Sequence, residues 1–185
     1  MIIIAYLGGS VKEYLERYQD LAAALRISCP NHPNQTMVKH ARYTRGIKET
    51  GEKISIQRLI CRECNSTVSL LPDFLLPYKQ YSANEIESVI IDSETTGIYE
   101  IDTPASVYTV RRWIKEMSGQ ITAWISMLKT LLIGVYGLGY SEAALAGLPL
   151  IEQIRELSKK LPRIKHSGNL LGYAGIYAAS HPVPV

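Results

Sequence analysis

Two short segments carry residue types that suit metal chemistry: Cys29-Pro30-Asn31-His32 and Cys61-Arg62-Glu63-Cys64. Each places two ligand-bearing side chains on either side of a two-residue gap. That spacing lets the chain fold back so that both donor atoms, about 2.0 to 2.3 Å from a metal, lie on one edge of a tetrahedron. The second pair would close the opposite edge. A closed set of three thiolates and one imidazole favours zinc in a structural role, because no coordination position is left open for a substrate. His32 has the spacing of the fourth ligand, whereas His40 would have to swing inward from a predicted strand. The competing reading is plainer: three buried thiols and a surface ring that lie near one another by chance. Three cysteines are too few and too unevenly placed for a disulfide scaffold.

The elements that must position these residues are predicted from pattern and punctuation. The β-branched run Met1–Leu7 suits a short strand, broken by Gly8 and Gly9. Ser10 followed by Glu13 is a capping-box pattern, so a helix is expected from Val11 to about Leu25, burying Val11, Leu15, Tyr18, Ala22 and Leu25. Strands are expected at 37–47 and 53–60, joined by a hairpin turn at Glu49-Thr50-Gly51-Glu52, with Ile54, Ile56 and Ile60 on the buried face. The two ligand pairs thus flank a β-hairpin. The proline-punctuated run Leu70–Tyr78 reads as an apolar connector. Ser82 caps a helix ending near Asp92, a second helix runs from about Ser106 to Met117, a third from about Ile121 to Tyr136, and a last one from about Leu150 to Leu161, where Pro162 stops it.

The helix beginning at Ser106 has the layout of a recognition helix. Ser106 caps its start and leaves backbone N–H groups free to meet a phosphate. Val110, Trp113 and Ile114 share one face, suited to packing on the preceding helix. Tyr108, Thr109, Arg111, Arg112 and Lys115 are available for bases or phosphates of double-stranded DNA. An amphipathic helix with a solvated basic face would show the same pattern.

Three strings together resemble a bacterial family of unknown function that is often associated with transposable elements. They are Ile56-Gln57-Arg58-Leu59-Ile60-Cys61-Arg62-Glu63-Cys64, Ser69 to Lys79, and Thr109-Val110-Arg111-Arg112-Trp113. The resemblance covers about residues 1 to 117. It implies a zinc ribbon with Zn2+ at the two knuckles, a Leu/Pro-rich connector, a helix-turn-helix and DNA as partner, with no established activity. The first knuckle departs from the family pattern, which carries a second cysteine where this chain has His32. The family's short positioning helix also lacks a clear counterpart, since Ile98 to Thr103 leaves barely one turn.

The bulk properties fit this reading without demanding it. The chain has 185 residues, a net charge of +3 and a pI near 8.7. Between Arg26 and Cys64 eight bases face three acids, and the sign reverses between Glu85 and Asp102, where no Lys or Arg occurs. The expected fold is α+β: an N-terminal zinc-ribbon β-hairpin module followed by a mostly helical, helix-turn-helix-like domain. The expected divisions are residues 1–26 (strand and helix), 27–70 (ribbon), 71–81 (connector), 82–117 (helix-turn-helix-like segment) and 118–185 (C-terminal helical region).

Met1–Gly9 lacks a basic leader and a cleavage site, and the apolar stretch Ala123–Gly139 contains Lys129, so a buried helix and a cytoplasmic location are expected. Asp73, Asp92 and Asp102 have no spacing that gathers two catalytic metal ions, and no phosphate-cradling glycine loop or nucleophile triad is present. Hence no enzymatic activity is expected. His166 and His181 read as isolated tail residues. A protein-interaction module is the alternative function, with the C-terminal helices as a homodimer or partner surface and Trp124, Leu128, Leu131, Leu132 and Tyr136 as its apolar residues. A transposase remnant that retains only its DNA-binding part is another.

Overall fold

The computed structural model describes residues 2–20, 25–161 and 171. His166, His181 and Pro162, named from the sequence, lie outside the described residues. The architecture is mixed α+β. A four-stranded sheet has the order β1 (Ile2–Ala5), β6 (Thr67–Pro72), β5 (Lys53–Ile60), β4 (Val38–Gly46). A separate two-stranded hairpin pairs β2 (Ser28–Cys29) with β3 (His32–Thr36). The helices are α1 (Val11–Glu13), α2 (Ala83–Asp92), α3 (Val107–Gly134), α4 (Glu142–Leu145) and α5 (Leu150–Ser158).

The β4–β5 hairpin forms where its turn chemistry was read. Gly51 takes φ +71 in the turn, and its N–H donates to the Ile47 carbonyl at 2.8 Å. Only a residue without a Cβ enters that left-handed region at no cost. On β5 the buried face changes part-way. Ile54 and Ile56 join one core with Leu7, Tyr14 and Phe74, whereas Leu59, rather than Ile60, joins a second core with Cys29, Met37, Cys61, Val68 and Leu70. The register shift in β4 between Lys39 and Ala41 lies opposite this change.

The run beginning at Leu70 is not simply a connector. Its first residues belong to β6, which pairs antiparallel with β5 and parallel with β1 in the register Ile2↔Ser69 to Ala5↔Pro72. Leu70 faces the core beside the cysteines and Leu71 faces the opposite core. The alternation Thr67-Val68-Ser69-Leu70 therefore ends at Leu71, and the part of the strand buried on both faces reads as an apolar run.

The helix expected from Val11 also differs. Ser10 accepts the Glu13 N–H at 3.2 Å as expected of a cap, but after α1 the chain widens into a π-helical turn, Tyr14–Tyr18, closed by Gln19 N–H to Tyr14 O at 2.8 Å. The wider turn moves the buried face. Tyr14 is fully buried and donates its hydroxyl to Ser55 O at 2.7 Å, while Leu15 and Leu25 are exposed. Val11 and Tyr18 are partly buried as expected, and Ala22 lies outside the described residues.

Ser82 caps α2 by accepting the Glu85 N–H at 3.2 Å. The two helices expected at 106–117 and 121–136 are one continuous helix, α3. Met117, Ile121, Ile125 and Leu128 carry the buried stripe at helical spacing straight past Ser118-Gly119-Gln120. Gly119 and Gln120 face solvent, so they interrupt nothing. Leu128, Leu131 and Leu132 are buried in this chain's own helical core with Ile151, Ile154 and Leu157 of α5, and Trp124 and Tyr136 pack against it. No helix among the described residues is long and apolar enough to cross a membrane.

Candidate metal centre and cationic face

Both ligand pairs sit in hairpin turns. Cys29 and His32 are partners at the end of the β2–β3 hairpin, with Pro30-Asn31 as the turn between them. Cys61 leaves β5, and the chain returns into β6 through a turn in which Asn65 N–H reaches Cys61 O at 2.9 Å and Cys61 N–H reaches Ser66 O at 3.0 Å. Asn65 takes φ 55, a conformation asparagine tolerates because its short side chain bonds locally. Asn31 ties the turns together, its Nδ2 donating to Ser66 Oγ at 3.3 Å.

The four ligand atoms converge within 4.8 Å of one another. Cys29 Sγ lies 3.7 Å from Cys64 Sγ, and His32 Nδ1 lies 3.8 Å from Cys61 Sγ and 4.0 Å from Cys29 Sγ. The sulfurs are too far apart for a disulfide, whose S–S bond is about 2.05 Å. A tetrahedron with zinc–ligand bonds of about 2.0 to 2.3 Å has edges of about 3.3 to 3.8 Å. Two of the three separations fall on that edge and the third is a few tenths wider. The donor set therefore fits a single metal ion. Among the described residues it is the one such group of His, Cys, Asp or Glu side chains. His40 is exposed on β4 and outside it.

The electrostatics follow from the turns. The Ser66 hydroxyl and N–H pull the Cys64 thiol down to about 6. The Cys64 and Glu63 N–H groups lower Cys61, while burial raises Cys29. His32 is raised by its hydrogen bonds to Cys61 and Cys64. Backbone N–H groups directed at sulfur stabilise the thiolate, the form that binds metal.

The predicted DNA-contacting residues are brought together on the first turns of α3. Tyr108, Thr109, Arg111, Arg112 and Lys115 line one open groove of about 460 Å³. Ser106 is used as the cap, its Oγ accepting the Thr109 N–H at 3.4 Å. Val110 and Trp113 are buried and Ile114 packs against the same core. Arg111 donates to Tyr99 Oη at 2.7 Å and lies over that ring. Between α2 and α3, residues 93–106 form turns and irregular chain with no helix, much longer than the three or four residues of an ordinary helix-turn-helix turn.

Sequence reading missed a second group. Lys48, Tyr78, Lys79 and Gln80 stand against Thr109 and Arg112 across a groove of about 280 Å³. They come from the β4–β5 turn and the loop after β6, and no local pattern links those segments.

The site is thus a Cys3His cluster with a spacing that could hold a metal ion, in a chain whose helical part carries an exposed cationic face. Residues 29–113 match the model of a family described as a domain of unknown function (DUF6431). No curated protein and no solved structure matches the chain.

Proposed function

We propose that this chain is a zinc-stapled protein that binds double-stranded DNA through the start of α3, without catalysis of its own. In this reading α2 and α3 act as a helix-turn-helix-like pair with an enlarged connection. Cys29, Cys61 and Cys64 hold a structural Zn2+ through Sγ, and His32 through Nδ1. The ion contributes cohesion: it ties the β2–β3 hairpin to the β5–β6 turn, which share only a small core. The resemblance read from the sequence favours a regulator or accessory factor of a mobile element acting in the cytoplasm.

The observation that carries the DNA reading is the exposed set Tyr108, Arg111, Arg112 and Lys115 along one groove at a helix start. Two further features support it. Ser106 fixes the helix start, and Trp113 packs edge-on against Tyr81 with ring centres 4.8 Å apart, which orients α3 on its support. Base-edge readers require such rigid placement, whereas phosphate contacts position the protein.

The test is titration of a labelled duplex library with metal-loaded protein at several salt concentrations. Binding that weakens steeply with salt, and weakens further in the Arg111→Ala/Arg112→Ala variant, is the expected outcome. Equal affinity of that double variant and the parent would remove α3 as the reading element. A second reading, self-association, is favoured by one observation: Ile133, Val135 and Leu138 are exposed together at the end of α3.

A further inference from the structure

We infer that the β4–β5 turn and the loop after β6 form a second phosphate seat beside α3, so that one duplex backbone is gripped by both halves of the molecule at once. The inference rests on the DNA reading above and adds to it Lys48 and Tyr78, which lie outside the recognition helix.

The seat is built on a clamp. Arg45, at the end of β4, sends its guanidinium to the Leu76 carbonyl at 2.7 Å and also to the Lys79 carbonyl. Lys48 N–H donates to Gln80 O at 2.8 Å, and Glu49 accepts the Ser82 N–H at 2.7 Å. These contacts join the hairpin tip to residues 76–82 in one piece, ending at the cap of α2. The clamp uses the Arg45 and Glu49 side chains with backbone groups of the loop and leaves Lys48 and Tyr78 exposed, whereas Lys79 turns its ammonium onto Glu116. Tyr78 is held at φ 62 and the residue is 91% exposed. A bulky residue in the left-handed region is a backbone outlier, and here it presents its ring to solvent.

Charge determines what can dock. Lys48, Arg111, Arg112 and Lys115 line the two grooves; Lys79 lines one of them with its ammonium tied to Glu116, which Arg112 also approaches, and Glu49 beside Lys48 is held on the Ser82 N–H. Among the described residues no ion pair engages Lys48, Arg111 or Lys115. Thr109 and Arg112 line both grooves, so the surface is continuous from α3 to the hairpin tip. Cations spread along a continuous open surface, with an exposed aromatic between them, match a ligand whose negative charges repeat along its length. The sugar-phosphate backbone of DNA has that form.

The test uses the full, zinc-loaded chain and a fluorescein-labelled duplex, titrated from about 50 to 200 mM salt. Lys48→Ala and Lys48→Gln should each flatten the slope of log affinity against log salt by about 0.9, one lost phosphate contact, and weaken binding about fivefold at 0.15 M salt. Tyr78→Ala should weaken binding while leaving the slope unchanged, since it removes no charge. Lys159→Ala, at the cap that follows α5 and outside both grooves, should match the parent. Zinc content and thermal midpoint report whether each variant is folded. Variants at Lys48 and Tyr78 that bind like the parent, while Arg111→Ala/Arg112→Ala weakens, would overturn the second seat and leave the α3 reading standing. Failure of the parent to bind any duplex would overturn both. Displacement of the duplex by polyglutamate at equal charge concentration would overturn the DNA assignment in favour of an acidic peptide.

Discussion

At the scale of single residues, donor type and spacing carry most of the information. Two C-x-x-C/H pairs were sufficient to single out Cys29, His32, Cys61 and Cys64, because a metal-binding knuckle is a local structure and its spacing is written in the chain. Cys61→Ser should reduce bound zinc from one equivalent to below about a tenth, read by elemental analysis, because each ligand supplies a share of a binding free energy of about 10 to 16 kcal/mol. Full zinc retention in that variant would show that Cys61 is no ligand. Tyr14 was not legible as a core residue, since its burial depends on a π turn and on Ser55, far away in sequence. Burial pushes its phenol from about 10 up to about 12. The folded-state value is above the unfolded one, so the stabilisation is complete below pH 10 and is lost as pH rises toward 12. Chemical denaturation across that window should show a decline that Tyr14→Phe lacks, whereas parallel curves would mean the hydroxyl is not sequestered. The same variant should cost about 1 kcal/mol at neutral pH for the lost hydrogen bond.

At the scale of elements, legibility followed periodicity. The β4–β5 hairpin, the Ser82-capped α2 and the start of α3 were readable because alternation, caps and turn residues mark them. Strand β6 was not, because its alternation lasts only from Thr67 to Leu70 before Leu71 joins the core on the opposite face. The continuity of α3 was hidden by Ser118-Gly119-Gln120, which look like a linker although Gly119 and Gln120 simply lie on its exposed side. Gly119 gives a direct check. An added Cβ there meets nothing within 4 Å, so Gly119→Ala should raise stability by about 0.5 to 1 kcal/mol in a denaturant titration. No gain would indicate a break in the helix at that point. Gly119→Pro should cost about 3 kcal/mol, since a mid-helix proline removes a backbone bond and clashes with the preceding turn.

At the scale of the whole molecule, the Arg45–Glu49 clamp joins the sheet to the helical unit, and the proposed ion sits in the turns at the other end of that sheet's β5 strand. That clamp was invisible in the sequence because its acceptors are carbonyls of residues 76 and 79, contacts that no side-chain pattern encodes. The ion should therefore matter beyond its own turns. Zinc removal by a chelator under reducing conditions should lower the thermal midpoint and loosen the β2–β3 hairpin, seen as faster amide exchange there. The helical core of α2, α3 and α5 contains none of the ligands and should keep its protection longer. The most direct measurement is zinc-edge X-ray absorption on the reduced, zinc-loaded chain together with metal stoichiometry. One zinc per chain, with three sulfurs at about 2.3 Å and one nitrogen at about 2.0 Å, is the predicted result. A shell of oxygen and nitrogen alone, or no stoichiometric zinc after reconstitution, would contradict the account.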